Sequence, residues 1–161
     1  MPELTQDQAT LLDKLACRTL METFSYAEIR RDPDLFVSLW SEDARFGGVH
    51  GRDEIRASAV GFFKAMEGIS DLRISPAGWF VEVDGDTADG RFYIVSQLRI
   101  PQDDGSVKIM HMDATYRTKF VRGAEGWRIS EVRGDKNPSL FHDSDIMVQL
   151  QGAAKVTHDF S

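Results

Sequence analysis

Cysteine is almost absent from this chain. Cys17 is the only one in 161 residues, so no disulfide can form within the chain, and nothing places it outside a reducing compartment. Cytoplasm is the default location. Basic clusters are missing too. Lys and Arg number 19 against 26 Asp and Glu, a formal net charge of −7, and no run of Lys or Arg exceeds a pair. The electrostatic footprint for nucleic acid or an anionic membrane is therefore lacking. No apolar run approaches the roughly 18 residues of a membrane helix. The first residues, MPELTQDQATLLDKLA, are acidic and polar where a signal peptide has a basic start and an apolar core. There is no phosphate loop, dinucleotide fingerprint or nucleophile elbow. His50, His111, His142 and His158 are scattered, without a second ligand at metal-binding spacing, so neither a metal nor a cofactor is expected. General acid–base chemistry or plain binding is what remains.

With 42% hydrophobic residues, the chain is long enough to bury about two thirds of its unfolded surface in one domain. We place that domain at residues 1–161, with a core at 10–135 and a tail at 136–161. Leu12, Leu15, Ala16, Leu20, Phe24 and Ala27 recur at three- and four-residue steps, predicting one apolar face of a helix over Thr10–Arg31. Cys17 and Tyr26 fall near that face, Cys17 as a small buried hydrophobe. Pro33 ends this helix, and Asp32 as N-cap with Pro33 and Asp34 in the first turn starts a second one. Its apolar face is Leu35, Phe36, Leu39 and Trp40. Ala44–Phe46 reads as a brief strand. Gly51 to Glu54 open a third helix whose stripe is Ile55, Ala59, Phe62, Phe63 and Met66.

From Asp71 the period changes from 3.6 to 2. One strand runs to Val83 with a bulge or bend at Pro76 and Gly78, and a turn at Asp84 and Gly85 leads into a second strand over Thr87–Ile100. After Asp103–Gly105 comes the hairpin on which the other elements pack, Val107 to Arg133, broken at Gly123 and Gly126. One parity of its first strand carries Met110, Met112, Ala114, Tyr116, Thr118 and Phe120. The other carries His111 and Asp113, which look like an acid–base pair but stand on the outer parity, where a solvated or interface pair is the plainer reading. A bulge near Met110 would exchange the two faces. Three helices followed by four antiparallel strands make an α+β arrangement in which a curved sheet covers its apolar face with the helices. In the tail, Ser144 can cap a short helix through Leu150.

The polar candidates are Tyr26, Glu28, Arg30, Arg31, His50, Arg73, Ser96, His111, Asp113, Tyr116 and Arg133. In sequence order the chain shows a first helix ending in a tyrosine and an acidic cap (Tyr26 to Asp34), then LWSEDARF, GRDEI, VDGDTADGRF, YRTKF and GWRISEVR. This succession resembles the SnoaL-like branch of the nuclear transport factor 2-like superfamily over Leu12 to Arg133. The branch includes ketosteroid isomerase, scytalone dehydratase and bile acid dehydratase. The resemblance implies a cone-shaped, cystatin-like α+β barrel, with three N-terminal helices in a strongly curved, mostly antiparallel sheet. It also implies an apolar internal pocket and a homodimer formed through the outer sheet face. Tyr26 matches the hydrogen-bond donor of these pockets. Met112, Ala114 and Tyr116 match pocket-facing positions, Tyr116 standing where the isomerase keeps a protonated acid. The catalytic dyad is replaced: Arg31 stands for its aspartate, Asp71, Leu72 and Arg73 for its histidine and Ser96 for a further aspartate, while the isomerase base falls near Gly48.

The resulting expectation is a small lyase or isomerase, dehydratase-like in its acid–base chemistry, acting on an apolar cyclic metabolite. Tyr26, His50 and Tyr116 are the catalytic candidates. Arg31, Trp40, Phe62, Met66, Arg73, Phe92, Ser96, Met110, Met112 and Ala114 are the ligand-binding candidates. Two alternatives stay open. One is a non-catalytic binding protein for an apolar, anionic ligand held by Arg31 and Arg73. The other is an assembly subunit, since small subunits of ring-hydroxylating oxygenases share the fold.

Overall fold

The structure, a computed structural model, describes residues 4–135. The expected tail helix, His142 and His158 lie outside the described residues. Helix α1 spans Gln6–Arg30. Thr5 caps its start in a reciprocal box with Gln8: the Gln8 amide donates to Thr5 Oγ1 and the Thr5 amide to Gln8 Oε1, which satisfies two of the orphan donors of the first turn. Arg31 ends the helix in the left-handed region, at φ 53°. Helix α2, Pro33–Ser38, begins as its residues dictate, with Asp32 Oδ1 accepting from the Asp34 and Leu35 amides. After it come β1 (Trp40–Phe46), β2 (Val49–His50) and α3 (Arg52–Ala65). Four long strands follow, β3 (Asp71–Asp84), β4 (Thr87–Pro101), β5 (Val107–Gly123) and β6 (Gly126–Gly134).

The six strands form one curved sheet in the order β2-β1-β6-β5-β4-β3. Its long members pair antiparallel, but β1 pairs parallel with β6. Sequence patterning does not show this pairing, because it joins distant strands with no turn between them. Trp40, assigned by pattern to the second helix, instead starts β1. The bulge in β3 falls between Pro76 and Gly78 as expected, and β4 pairs with β5 without a shift past Met110. The even residues of β5 therefore face the helices, and His111 lies on the exposed outer face.

Helix α1 packs across β3 and touches β6 and β4, while α2 and α3 close the other side over β1. The buried stripe of α1 is Cys17, Met21, Phe24 and Ala27, whereas Leu12 and Leu15, expected on that face, are 52% and 38% exposed. The correction is one of helical phase: steps of four and three from Cys17 reach Met21, Phe24 and Glu28 in turn. Beneath α1 lies an aromatic core in which Phe24 meets Phe36 at 4.8 Å between ring centroids, Phe46 at 5.9 Å and Trp40 at 6.0 Å. Small residues decide the packing on β4. A Cβ at Gly90 would stand 2.7 Å from the Phe92 ring and 3.0 Å from that of Phe120.

Two ends of the chain are tied by charge. Asp13 of α1 accepts from Arg122 Nη1 at 2.7 Å and from Trp127 Nε1 at 2.9 Å. The Arg122 guanidinium also donates to Asp86 and to the Gly85 carbonyl, and lies over the Trp127 ring. Cys17, buried one turn further along α1, has its thiol pushed up to about 12, first by burial and then by the Asp13 charge. That makes it an inert core residue, as its surroundings predict.

Candidate active site

Inward-facing residues of the central strands fall into two groups. Met110, Thr118 and Phe120 of β5, with Phe92, Ile94 and Leu98 of β4, are sealed in the core. Met112, Ala114 and Tyr116 share the same parity yet keep intermediate exposure, as do Ser96 on β4, Ile74 on β3 and Phe62 on α3. Phe62, Ile74, Met112 and Tyr116 form the partly open edge of the helix-facing surface, packed against the core without being sealed in it. Strand pairing sets Ile74 beside Ser96, Ser96 beside Met112, and Ile94 beside Ala114. The Ser96 hydroxyl donates to the Met112 carbonyl at 3.2 Å, so its lone pairs remain available as acceptors.

Tyr116 stands at the end of this open surface, its ring edge-on to Phe24 at 6.3 Å. Burial holds its phenol in the protonated form well above the usual tyrosine range, and the negative field of Glu28 adds to the effect. Glu28 lies one turn beyond Phe24 on the same side of α1, and burial pushes its carboxyl up to about 8. A carboxyl desolvated with no cation beside it holds its proton through neutral pH. Both residues keep intermediate exposure. An acid that titrates near neutrality and a phenol that feels its charge are candidates for acid–base work.

The other candidates are placed elsewhere. Tyr26 is 54% exposed: two residues past Phe24 on a helix is more than half a turn, which carries it to the opposite side of α1. It cannot pair with Tyr116 in the interior. His50 is exposed on the short edge strand β2. The Arg73 side chain is 70% exposed and donates to Asp71, so it lies outside the cone. Arg31 turns toward the segment before β3, its Nη2 donating to the Ile69 carbonyl at 2.6 Å. Trp40, Met66, Phe92 and Met110 are buried in the core. Of the candidates, Phe62, Ser96, Met112, Ala114 and Tyr116 keep intermediate exposure on the helix-facing side.

Glu28 is legible in the sequence as a candidate but not as a central one. Its signal is the four-residue register running back through Phe24 and Met21, which the exposed leucines obscure. No group of three or more metal-binding side chains occurs among the described residues, and no helix there is long and apolar enough to cross a membrane. A separate bowl of about 510 Å³ opens on the outer face of the sheet between Phe80, Glu82, Arg91, Arg117, Glu131 and Arg133, away from this inner surface. On that face the Tyr93 hydroxyl donates to Asp113, which raises the tyrosine's proton affinity, and leaves Asp113 engaged with a phenol and not with His111.

Three helices packed against one curved six-stranded sheet define a class of small α+β cones. The chain belongs to the SnoaL-like domain family, which it matches over residues 9–133. No curated protein matches its sequence. Among solved structures it is similar to a single-residue variant of the Rv3472 protein of Mycobacterium tuberculosis, described as of unknown function, at 22% identity and TM-score 0.72, over 96% of this chain and 95% of that one. It is also similar to an NTF2-like protein with a cystatin-like fold from Novosphingobium aromaticivorans, at 25% identity and TM-score 0.66, over 94% and 99%. A protein of the same organism, provisionally named a scytalone dehydratase, aligns at 17% identity and TM-score 0.66, over 78% and 86%. These likenesses establish the fold, and the family includes dehydratases and isomerases.

Proposed function

We propose that the chain is a small acid–base catalyst of the lyase or isomerase type, acting on an apolar cyclic metabolite within the cone. The observation that carries this reading is the Glu28 carboxyl, held near neutral titration beside the protonated Tyr116 phenol on an otherwise apolar inner surface. Tyr116 donates a hydrogen bond to a carbonyl or hydroxyl oxygen of the substrate, where negative charge develops as a proton leaves the neighbouring carbon. Glu28 moves that proton, its affinity suiting both directions at neutral pH. Ser96, Met112, Ala114 and Phe62 form the wall that holds the ring. The rival reading, an anionic ligand held by arginines, loses Arg73, which lies outside, and keeps Arg31, whose Nε is buried without a partner while its Nη2 donates to the Ile69 carbonyl. The test is proton exchange: a panel of cyclic ketones and β-hydroxyketones is incubated in deuterated water and followed by NMR. Enzyme-dependent loss of the α-proton signal or elimination of water, absent with Glu28→Gln, supports the proposal. No exchange with any member counts against it.

Pairing of two copies through the outer face is proposed on its charge pattern. Strand register lines up Phe80, Arg91, Arg117 and Arg133 in one row across the sheet, and Glu82, Asp89, Lys119 and Glu131 in the next. Like charges directly opposite one another cost stability unless something neutralises them. Arg117 and Arg133 are neutralised within the chain by Asp135 and Glu131, which leaves Arg91 to find its counter-charge on a second copy, with Asp89 as the acid in the next row. Arg91 against Asp89 of a second copy, repeated by a two-fold axis, is a contact of the kind an isologous interface uses.

A further inference from the structure

The bowl of about 510 Å³ on the outer face of the sheet is a groove between two rows of side chains. Its floor lies at Gly90 and Thr118, where nothing projects outward: the first has no side chain and the second is buried, its hydroxyl turned to the Met21 sulfur. One wall is Phe80, Arg91, Arg117 and Arg133; the other is Glu82, Asp89, Lys119 and Glu131. Strand register carries each row across β3, β4, β5 and β6 in turn. On any one strand the walls stand two residues apart, about 6.7 Å. A cationic wall therefore faces a wall of three acids and one base across a narrow gap.

The two ends of this groove differ. At the β6 end Arg133 bridges the gap to Glu131, and the neighbouring Arg117 turns away from it to Asp135. At the β3 end the gap stays open. Arg91 and Asp89 stand on β4 in the same two-residue relation as Arg133 and Glu131 on β6, but among the described residues no hydrogen bond or ion pair joins Arg91 to Asp89 or to Glu82. Glu82 lies directly opposite Asp89, so two like charges face each other there, an arrangement that costs stability until a cation neutralises it. Beside them Phe80, opposite Arg91, is 58% exposed.

We infer that the open end of the groove binds a zwitterion carrying an apolar group, of the α-amino acid class. Arg91 donates to its carboxylate, Asp89 and Glu82 accept from its ammonium group, and its apolar side chain covers the Phe80 ring. The two charges of such a ligand sit on adjacent groups, which suits head groups reaching in from two walls. A ligand with one charge leaves the opposite wall uncompensated. A plain anion is also repelled at long range by the net charge of −7, whereas a zwitterion is not. This site lies on the other side of the sheet from Glu28 and Tyr116 and does not rest on the acid–base reading. Arg91 and Asp89 are the residues offered to a second copy, so a bound zwitterion and a second copy exclude one another.

The experiment titrates the full chain by NMR with L-phenylalanine, 3-phenylpropanoate and 2-phenylethylamine, which share a ring and differ in charge. Phenylalanine should bind about tenfold tighter than either analogue, as a further hydrogen bond between charged groups allows, and should shift the amides of Gly90, Arg91 and Thr118. In Arg91→Gln it should bind no better than the amine, and in Asp89→Asn combined with Glu82→Gln no better than the carboxylate. All three positions are exposed, so these variants keep the fold. Equal affinity for the three ligands, a preference that survives both variants, or shifts confined to Met112 and Tyr116 on the helix-facing side overturns the inference. A chain that associates through Arg91 and shows no preference for phenylalanine keeps the pairing of copies and loses this site.

Discussion

Burial raises the proton affinity of the Tyr116 phenol on β5, and the charge of Glu28 on α1, once that carboxyl ionises, raises it further. The same burial keeps a proton on Glu28 up to about pH 8. A carboxyl whose affinity is raised on folding binds its proton in the native state over a range where the unfolded chain has released it. Its contribution to stability is full at low pH and declines as pH climbs from the ordinary carboxylate range to about 8. Glu28→Gln, which cannot ionise, should therefore raise the melting temperature relative to the parent more at pH 9 than at pH 5. Thermal unfolding of both proteins at the two pH values checks this, and an equal difference at both would refute it.

Tyr116→Phe removes the proposed donor while keeping the ring against Phe24. Turnover in the exchange assay should fall roughly 10²- to 10³-fold, the usual effect of losing one such donor, with little change in melting temperature. Tyr26→Phe, on the exposed side of α1, should leave turnover as it was. The reverse pattern would return the role to Tyr26.

The contrast between these two tyrosines shows how far the sequence can be read. Strict alternation in β5 places Met112, Ala114 and Tyr116 on the inner parity, and Asp32 with Pro33 marks the start of α2, because both signals are local and each has one geometric meaning. The phase of α1 is harder. Leu12 and Leu15 look like core residues by type, and their exposure depends on how the helix lies against β3, which periodicity along one element does not encode. Anchoring the phase on them brings Tyr26 toward the pocket and moves Glu28 from its centre. The parallel pairing of β1 with β6 is hidden for a related reason, since it has no turn residues to announce it.

Gly90 leaves room for the edge-on contact of Phe92 and Phe120, whose centroids are 6.1 Å apart. Gly90→Ala forces a methyl group into both rings and should cost about 1–3 kcal/mol, as overpacking of a tight core does. Denaturant titration with an unchanged slope would register the loss. Full stability would mean that the rings move aside freely.

Asp13→Ala strands the Trp127 indole N–H and one arm of Arg122. Loss of hydrogen bonds to a charged acceptor in a half-buried position should cost about 1.5–3 kcal/mol, or a fall of roughly 3–12 °C in melting temperature for a chain of this size. Asp13→Asn, which keeps an acceptor, should recover part of it.

On the outer face, Arg91→Glu should weaken association of the chain, as measured by sedimentation, and Arg91→Glu combined with Asp89→Arg should restore it. Association should also weaken with added salt, because the contacts are between surface charges. A protein that stays monomeric at every concentration excludes the interface.

The bonds from Asp13 to Arg122 and Trp127 span 109 and 114 positions of the chain, and β1 waits for β6 before its inner edge has a parallel partner. During synthesis, then, the first helix and first strand leave the ribosome long before the groups that complete them. Until the last hairpin arrives, β1 presents an open hydrogen-bonding edge and Phe24, Trp40 and Phe46 have no sheet above them. Completion of the sheet thus depends on the last hairpin. Substitutions in the Gly126–Gly134 strand should accordingly be felt first as aggregation of newly made chains, before any effect on the finished molecule is seen.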